Sequence, residues 1–235
     1  MKTMLVLAGF VLMMAYFVIS TSDTAQAEEI LGTGTESLLG GDLTDPEDDG
    51  DPEQDVDYNA IFSANEEPGF AGGEFSFNVF DNLLGPGNDK WCCGPGGGIP
   101  TEGLHVTAEL EVPHVLTHFT VSSANDVPAR DPTDWEVQGS NDGTNFTTIF
   151  AHAGGSVWTE RLQVVLFETG AGADFPVQTT GYRFFRHVTI NTASNPNGAY
   201  FQIGEIEYFG TQGTGTAVDP KAKLTTTWGS LKDNR

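Results

Sequence analysis

The strict alternation of apolar and polar residues in residues 104–112, LHVTAELEV, is the feature that most limits the fold of this chain. Successive side chains of a β-strand point to opposite faces, so this segment would have one apolar and one polar face. The apolar face would carry Leu104, Val106, Ala108, Leu110 and Val112. The segment therefore predicts a strand that lies with one face against a core.

Segments of similar character recur along the chain. They are EFSFNVF (74–80), LQVVLFE (162–168), YRFFRHVTI (182–190) and FQIGEIEYF (201–209). Turn-forming Gly, Pro, Asn and Asp separate them, and this part of the chain has no long stretch with apolar residues at helical spacing. We therefore predict an all-β fold, an antiparallel β-sandwich or barrel.

The first 27 residues have the pattern of a secretory signal peptide. A positive start is followed by an apolar run, and Ala25-Gln26-Ala27 provides a small-x-small cleavage pattern. Cleavage would leave Glu28 as the mature N-terminus; the alternative is a retained anchor, because the run approaches spanning length. We expect a secreted or cell-surface protein with no transmembrane span after cleavage.

The formal net charge of −23 indicates what kind of partner the protein has. Such a chain repels phosphate backbones, which argues against nucleic acid. Clustered carboxylates in an exported protein instead suggest calcium, which prefers oxygen ligands. Acidity that serves only solubility is the alternative interpretation.

Composition divides the chain after the signal into three parts. Residues 28–57 are rich in Asp, Glu and Gly, and we predict a solvated leader, not core. An EF-hand loop starting at Asp45 fails at its twelfth position, which is Val56 instead of Glu, although looser calcium binding remains an alternative. Residues 58–210 form the body. Residues 211–235 are a Gly/Thr linker and a basic tail with Trp228, either a docking or sorting signal or a frayed end.

Residues 130–149, RDPTDWEVQGSNDGTNFTTI, resemble the strand–hairpin–strand segment of discoidin-like domains. These galactose-binding-like domains are also called coagulation factor V/VIII type C domains, and they include the family 32 carbohydrate-binding modules. Residues 77–91 resemble the early segment in which an Asp-bearing loop leads to a tryptophan, and residues 182–210 resemble the closing strands. The resemblance implies a jelly-roll β-sandwich over residues 58–210, with its loops gathered at one end.

The resemblance also implies a structural calcium ion where the early loop meets the last strand. Matched residue by residue, the metal ligands are Asp81, Asp89 and Glu205, with Glu207 as the alternative to Glu205. Asn82 stands where the family pattern has glycine, and the loop through Gly85 is longer than usual. Both departures from the family pattern affect which residues would be metal ligands, above all whether Asp89 is one of them.

Ligand binding in such domains uses the end loops, where an aromatic ring stacks on a sugar and polar side chains bond its hydroxyls. The candidate ligand-binding residues are Asn125, Arg130, Asp131, Trp158, Asn195, Asn197 and Tyr200. Two of them have a structural alternative: Arg130 would pair with a nearby carboxylate, and Trp158 would belong to the core.

Cys92 and Cys93 are the only cysteines and are adjacent. An exported chain argues against free catalytic thiols, and the absence of CxxC spacing argues against a zinc or redox centre. A disulfide between the two is one hypothesis; it would twist its own peptide and stiffen the loop beside the calcium site. Buried thiols or intermolecular bridges are the alternatives.

These observations favour a non-catalytic, calcium-stabilised module that binds an extracellular glycan or glycoprotein in adhesion or recognition. The alternative is a structural surface-layer, matrix or filament subunit that contacts other surface proteins or copies of itself. An enzyme is the third hypothesis, and no nucleophile elbow, P-loop or HExxH motif supports it.

Overall fold

The computed structural model describes residues 28–45, 59–67, 72–93, 99–194 and 200–213. The strands are β1 (Glu29–Thr33), β2 (Ala60–Ala64), β3 (Trp91–Cys92), β4 (Leu104–Ser122), β5 (Pro132–Ser140), β6 (Thr147–Ala153), β7 (Gln163–Glu168), β8 (Tyr182–Thr192), β9 (Gln202–Ile203) and β10 (Ile206–Gln212). Three short 3-10 helices span Thr35–Ser37, Ser76–Phe80 and Pro128–Arg130. No helix in these ranges is long and apolar enough to cross a membrane.

The long strand β4 belongs to both layers of the fold. Its first half lies between β2 and β8, and its second half lies between β10 and β7, all antiparallel. Pairing with β8 is interrupted between Glu109 and His114, and Pro113, which has no N–H to donate, falls in this gap. One layer is therefore β2-β4-β8-β5-β6 and the other is β10-β4-β7-β1, while β3 and β9 form a separate two-stranded ladder.

Aromatic rings from both layers meet in the core. Phe119 of β4 stacks on Phe167 of β7 at 5.0 Å between ring centroids, and Trp135 of β5 meets Phe167 edge-on at 5.3 Å. Their burial removes large apolar surfaces from water and is the main favourable term for folding. The predicted all-β antiparallel sandwich is confirmed.

Residues 141–146, which include Asp142 and Gly143, connect β5 to β6 within the segment that resembles a strand–hairpin–strand. Gly143 has a φ of 69°, a conformation that glycine adopts without a steric penalty. The Asp142 carboxylate accepts the N–H groups of Thr144 and Asn145 at 2.9 and 2.7 Å. The turn is therefore fixed by local sequence, as its motif indicates.

The alternation in residues 74–80 does not produce a strand, and that prediction is wrong. Ser76–Phe80 is a 3-10 helix instead, with Val79 and Phe80 buried and Phe77 half exposed. The Asn78 side chain donates to the carbonyls of Gly73 and Asn88 at 2.8 and 2.6 Å. A side-chain amide thus binds loop carbonyls and stabilises a turn where the apolar pattern alone indicated a strand.

The prediction of a solvated leader is wrong for residues 28–45, which we call the N-terminal strap. β1 pairs with the edge of β7, and Leu38 packs with Leu84 and Val164 in a small apolar cluster. A few leucines are enough to hold this segment against the sandwich, because the backbone of an edge strand can pair without a continuous apolar face. The rest of the predicted leader, the signal segment 1–27 and the tail beyond residue 213 lie outside the described residues.

Candidate metal and ligand-binding sites

Six oxygen-bearing side chains from three segments form what we call the carboxylate cluster. The strap supplies Asp42 and Asp45. The turn after the second 3-10 helix supplies Asp81 and Asn82, Glu205 immediately precedes β10, and Glu207 lies in β10. All six are buried. Asn82 has a φ of 56°, a left-handed conformation that asparagine tolerates better than most other residues.

Several buried oxygens of the carboxylate cluster lack a hydrogen-bond donor among the described residues. They are both carboxylate oxygens of Glu205, Oδ2 of Asp42 and Oδ1 of Asn82. Glu205 is fully buried, and a buried charge without a partner is strongly destabilising. Without a proton or a bound cation, the described residues leave the charge of this carboxylate unbalanced.

The electrostatics of the cluster lead to the same conclusion. Burial raises the pKa of Glu205 well above its usual range, and the neighbouring Asp81, Glu207 and Asp42 raise it further. Burial also raises the pKa of Asp81 to about 7, against the Leu83 N–H, which lowers it. No described Lys or Arg forms an ion pair with Asp42, Asp81 or Glu205.

These residues fit calcium, because they offer only oxygen donors and calcium takes six to eight of them. The structure places two of the predicted ligands, Asp81 and Glu205, in the cluster. Asp89 is only partly buried, but it lies close enough to raise the pKa of Asp81. The alternative ligand Glu207 is already engaged: it accepts the Gly40 N–H at 2.7 Å and the Thr120 hydroxyl at 2.6 Å.

Asp42 was missed as a candidate ligand, and Asp45 was considered only as the start of an EF-hand loop or of looser calcium binding by this segment. They open the acidic run DLTDPEDDGD, and composition indicated a solvated segment. The Asp42 carboxylate accepts the Thr44 hydroxyl at 2.7 Å, and Asp45 accepts the Asn82 side-chain amide at 3.0 Å. The D-x-T spacing, which suits a carboxylate capping its own turn, is the one local signal that could have found them.

A second group of charges, the loop-end cluster, consists of Glu74, Lys90, Asn125, Asp126 and Arg130 together with the Cys92–Cys93 disulfide and Tyr200. Lys90 is its centre and is 2% exposed. Its ammonium lies 2.6 Å from Asn125 Oδ1, 3.1 Å from Asp126 and 3.3 Å from Glu74. This buried cation is thus surrounded by acceptors, and the predicted ligand residue Asn125 acts as one of them.

Cys92 and Cys93 are joined in a disulfide at the end of β3. Arg130 Nη1 lies 3.6 and 3.4 Å from the two sulfur atoms and 3.7 Å from Asp126. The guanidinium also lies over the Tyr200 ring, 5.5 Å from its centroid, and this ring is 44% exposed. Two predicted ligand residues, Arg130 and Tyr200, are therefore adjacent and reach solvent beside the disulfide.

Asp131 and Trp158 lie elsewhere, along an open groove of about 430 Å³. Asp131 is buried and pairs with Arg161 through a 2.8 Å hydrogen bond. The Trp158 ring is buried too, and its N–H donates to the Val121 carbonyl at 3.2 Å. Trp158 is thus a core residue, the alternative given above, and offers no exposed ring for stacking. Asn195 and Asn197 lie outside the described residues.

Comparison with known proteins gives one curated relative and a set of solved structures. No family model matches the chain. A peptide-N(4)-(N-acetyl-β-glucosaminyl)asparagine amidase from Arabidopsis thaliana is 30% identical over 96 residues. The match covers 41% of this chain but spans only 12% of the length of that relative.

The similar solved structures cover about two thirds of this chain at low identity. CpGH89CBM32-5 from Clostridium perfringens, solved with GalNAc-β-1,3-galactose, is 18% identical with a TM-score of 0.48 and covers 64% of this chain and 95% of its own. A family 32 module of C. perfringens NanJ, solved with galactose, is 14% identical with a TM-score of 0.43 and covers 64% and 93%. A putative chitobiase fragment from Bacteroides thetaiotaomicron is 18% identical with a TM-score of 0.49 and covers 65% and 93%. The proteins to which this chain is similar thus include family 32 carbohydrate-binding modules, the group that its sequence motifs resemble.

Proposed function

We propose that this protein is a non-catalytic carbohydrate-binding module that takes a glycan at the loop-end cluster. The observation that carries the proposal is the pairing of Arg130 with the half-exposed ring of Tyr200. An aromatic ring can stack on the apolar face of a sugar, while a guanidinium donates to its hydroxyl groups. These two groups are adjacent at the surface, which is the minimum that sugar recognition needs.

The buried part of the loop-end cluster gives this surface a rigid base. Lys90 connects the segment before β3 to the loop that contains Asn125 and Asp126. Asp126 in turn contacts Arg130, so the guanidinium is held between a carboxylate and the disulfide sulfurs. Preorganised side chains lose less conformational entropy on binding, which favours affinity for a small polar ligand.

Calcium is the second part of the proposal. Asp81 and Glu205, with Asp42, Asp45 and Asn82, would hold the ion in the carboxylate cluster. A bound divalent cation would neutralise the buried anions and fix the segment that leads towards β3. The unpartnered oxygens of Glu205 support this assignment.

The proposed setting is extracellular, with a glycan or glycoprotein as the partner. The signal-like N-terminus supports export. Recognition or adhesion at a cell surface would follow from this location and from the loop-end cluster.

A glycan array probed in calcium tests the proposal, with galactose and GalNAc-β-1,3-galactose among its sugars. Calorimetry on the best-bound glycan should then show about 10- to 100-fold weaker binding for Arg130→Gln and Tyr200→Ala, since each removes one contact of the kind worth about 1.5–3 kcal/mol.

Arg183→Gln is the matched control, because Arg183 also lies beside an aromatic ring, 5.6 Å from the Phe184 centroid, but pairs with Glu109 outside the loop-end cluster. This control should bind like the wild type. A protein that binds no glycan on the array, or whose binding is unchanged in both loop-end variants, would contradict the proposal.

A further inference from the structure

The N-terminal strap contacts the carboxylate cluster directly. The Gly40 N–H donates to Glu207 at 2.7 Å, and the Asn82 amide donates to Asp45 at 3.0 Å. Close by, the Leu43 N–H donates to the Tyr208 carbonyl at 2.8 Å. The strap backbone thus bonds to residues more than 100 positions away in sequence, and its Asp45 side chain bonds to Asn82.

The remaining contacts of the strap are few. β1 pairs with one edge of β7 through four residue pairs, and the register shifts between Ile30 and Gly32. The Thr35 hydroxyl and the Leu84 backbone exchange hydrogen bonds at 3.3 and 2.9 Å. Leu38 is the one apolar side chain of the strap that is fully buried, Leu31 and Leu43 pack at the margins of the apolar clusters, and Ile30 is 51% exposed. A short edge strand with so few apolar contacts is the kind of segment that opens locally at low free-energy cost.

Charge opposes the docking of the strap. Asp42 is 1% exposed and one of its carboxylate oxygens has no donor among the described residues. Glu205 and Glu207 are fully buried near Asp42. The charge of Glu207 raises the pKa of Asp42, and the charge of Asp42 raises the pKa of Glu205. Like charges in a buried setting repel strongly, because the local dielectric constant is low.

We propose that a divalent cation closes the N-terminal strap onto the sandwich, with Asp42 as the ligand that the strap contributes. The inference rests on the calcium site proposed above and adds a conformational role to it. With the cation bound, Asp42 coordinates the same ion as Asp81 and Glu205, and the strap stays paired with β7. Without it, the strap separates from the cluster and the edge of β7 at residues 163–166 loses its partner.

Hydrogen exchange with mass spectrometry measures the closure of the strap directly on the purified protein, in CaCl2 and in EGTA. Calcium at about 100 times its Kd should slow exchange in residues 28–45 by up to about 100-fold, because binding to the closed state alone stabilises it by mass action. Amides of 163–166 that face β1 should follow the strap. Peptides from β5, which does not contact β1, serve as the internal reference.

Two strap variants sharpen the test. Asp42→Asn retains an oxygen for its Thr44 hydrogen bonds but removes the charge, so it should weaken calcium binding about tenfold or more and reduce the calcium effect on strap exchange. In EGTA its strap should exchange more slowly than that of the wild type, because one repulsive charge is gone. Glu36→Gln, at an exposed strap position outside the cluster, should behave as the wild type in both respects.

Calorimetry of calcium binding, run in parallel, distinguishes closure of the strap from binding at the calcium site. Calcium that binds while strap exchange stays unchanged would overturn the strap inference and leave the calcium site standing. No calcium binding would overturn both, without bearing on glycan capture at the loop-end cluster. Asp42→Asn with wild-type calcium affinity and wild-type strap protection would overturn the role of Asp42.

Discussion

The carboxylate cluster and the loop-end cluster both bury charged groups, but they balance that charge differently. In the loop-end cluster Lys90 lies within 3.3 Å of Glu74, Asp126 and Asn125, so its acceptors belong to the described chain. In the carboxylate cluster neither oxygen of Glu205 has a described donor in good hydrogen-bonding geometry, and only the Asn82 N–H is close enough to lower its pKa. A buried charge with its partners present indicates a scaffold, whereas one without them is the feature on which the proposed calcium site rests.

The largest expected effect on stability comes from replacing Lys90, the buried cation of the loop-end cluster. Lys90→Met should lower the free energy of unfolding by about 3 kcal/mol, because it removes a buried ammonium and leaves Asn125 and the partly exposed carboxylates of Glu74 and Asp126 without their donor. Urea unfolding measures this, and the loss should be the same in CaCl2 and EGTA. A loss that disappears in EGTA would mean that the two clusters are not independent.

The next largest effect on stability should come from removing the proposed calcium ion. EGTA should lower the free energy of unfolding by about 2.7 kcal/mol relative to calcium at 100 times its Kd. Glu205→Gln should abolish this calcium dependence, because the central anion is gone, whereas Glu74→Gln should keep it. Thermal melting of the three proteins in both buffers provides the measurement. A calcium shift that persists in Glu205→Gln would refute the assignment of this carboxylate.

The pH dependence should follow the carboxylate cluster when calcium is absent. Burial raises the pKa values of Asp42 and Asp81 from 3.8 to about 7, so between these values the folded state binds more protons than the unfolded state. In EGTA the free energy of unfolding should therefore fall as the pH rises from about 4 to 7, on the order of 1 kcal/mol per pH unit. Urea titrations at several pH values test the sign, and stability that rises over this window would contradict it.

The smallest effect on stability should come from the disulfide. A bond between adjacent residues closes the shortest loop, so Cys92→Ser/Cys93→Ser should change the free energy of unfolding by about 1 kcal/mol or less. Glycan affinity should fall more, since Arg130 loses both sulfur contacts. Melting and calorimetry on the same variant separate the two, and a large loss of stability with unchanged affinity would reverse this interpretation.

Local patterns predicted much of the body. The alternation in residues 104–112 lies within β4, and the Asp142-Gly143 motif forms the turn between β5 and β6. These features depend on backbone geometry over a few residues. The same kind of pattern was wrong at residues 74–80, because the Asn78 side chain binds loop carbonyls that the sequence pattern does not reveal.

The candidate site was predicted less completely. Asp81 and Glu205 were found through the resemblance, and both lie in the carboxylate cluster. Asp42 was missed because its segment is acidic and contains few apolar residues, which is typical of solvated chains. Trp158 was counted among the ligand-binding candidates, but its indole N–H bonds to Val121 inside the fold.

The sequence by itself determined the β class, the turn between β5 and β6 and the chemical type of the proposed metal ligands, since each depends on residue type and short spacing. Only the tertiary structure decided which carboxylates are buried together and that residues 28–45 belong to the sandwich. Gly40 and Glu207 are 167 positions apart and meet through a hydrogen bond. Burial results from packing between distant segments, and neither periodicity nor composition contains that information.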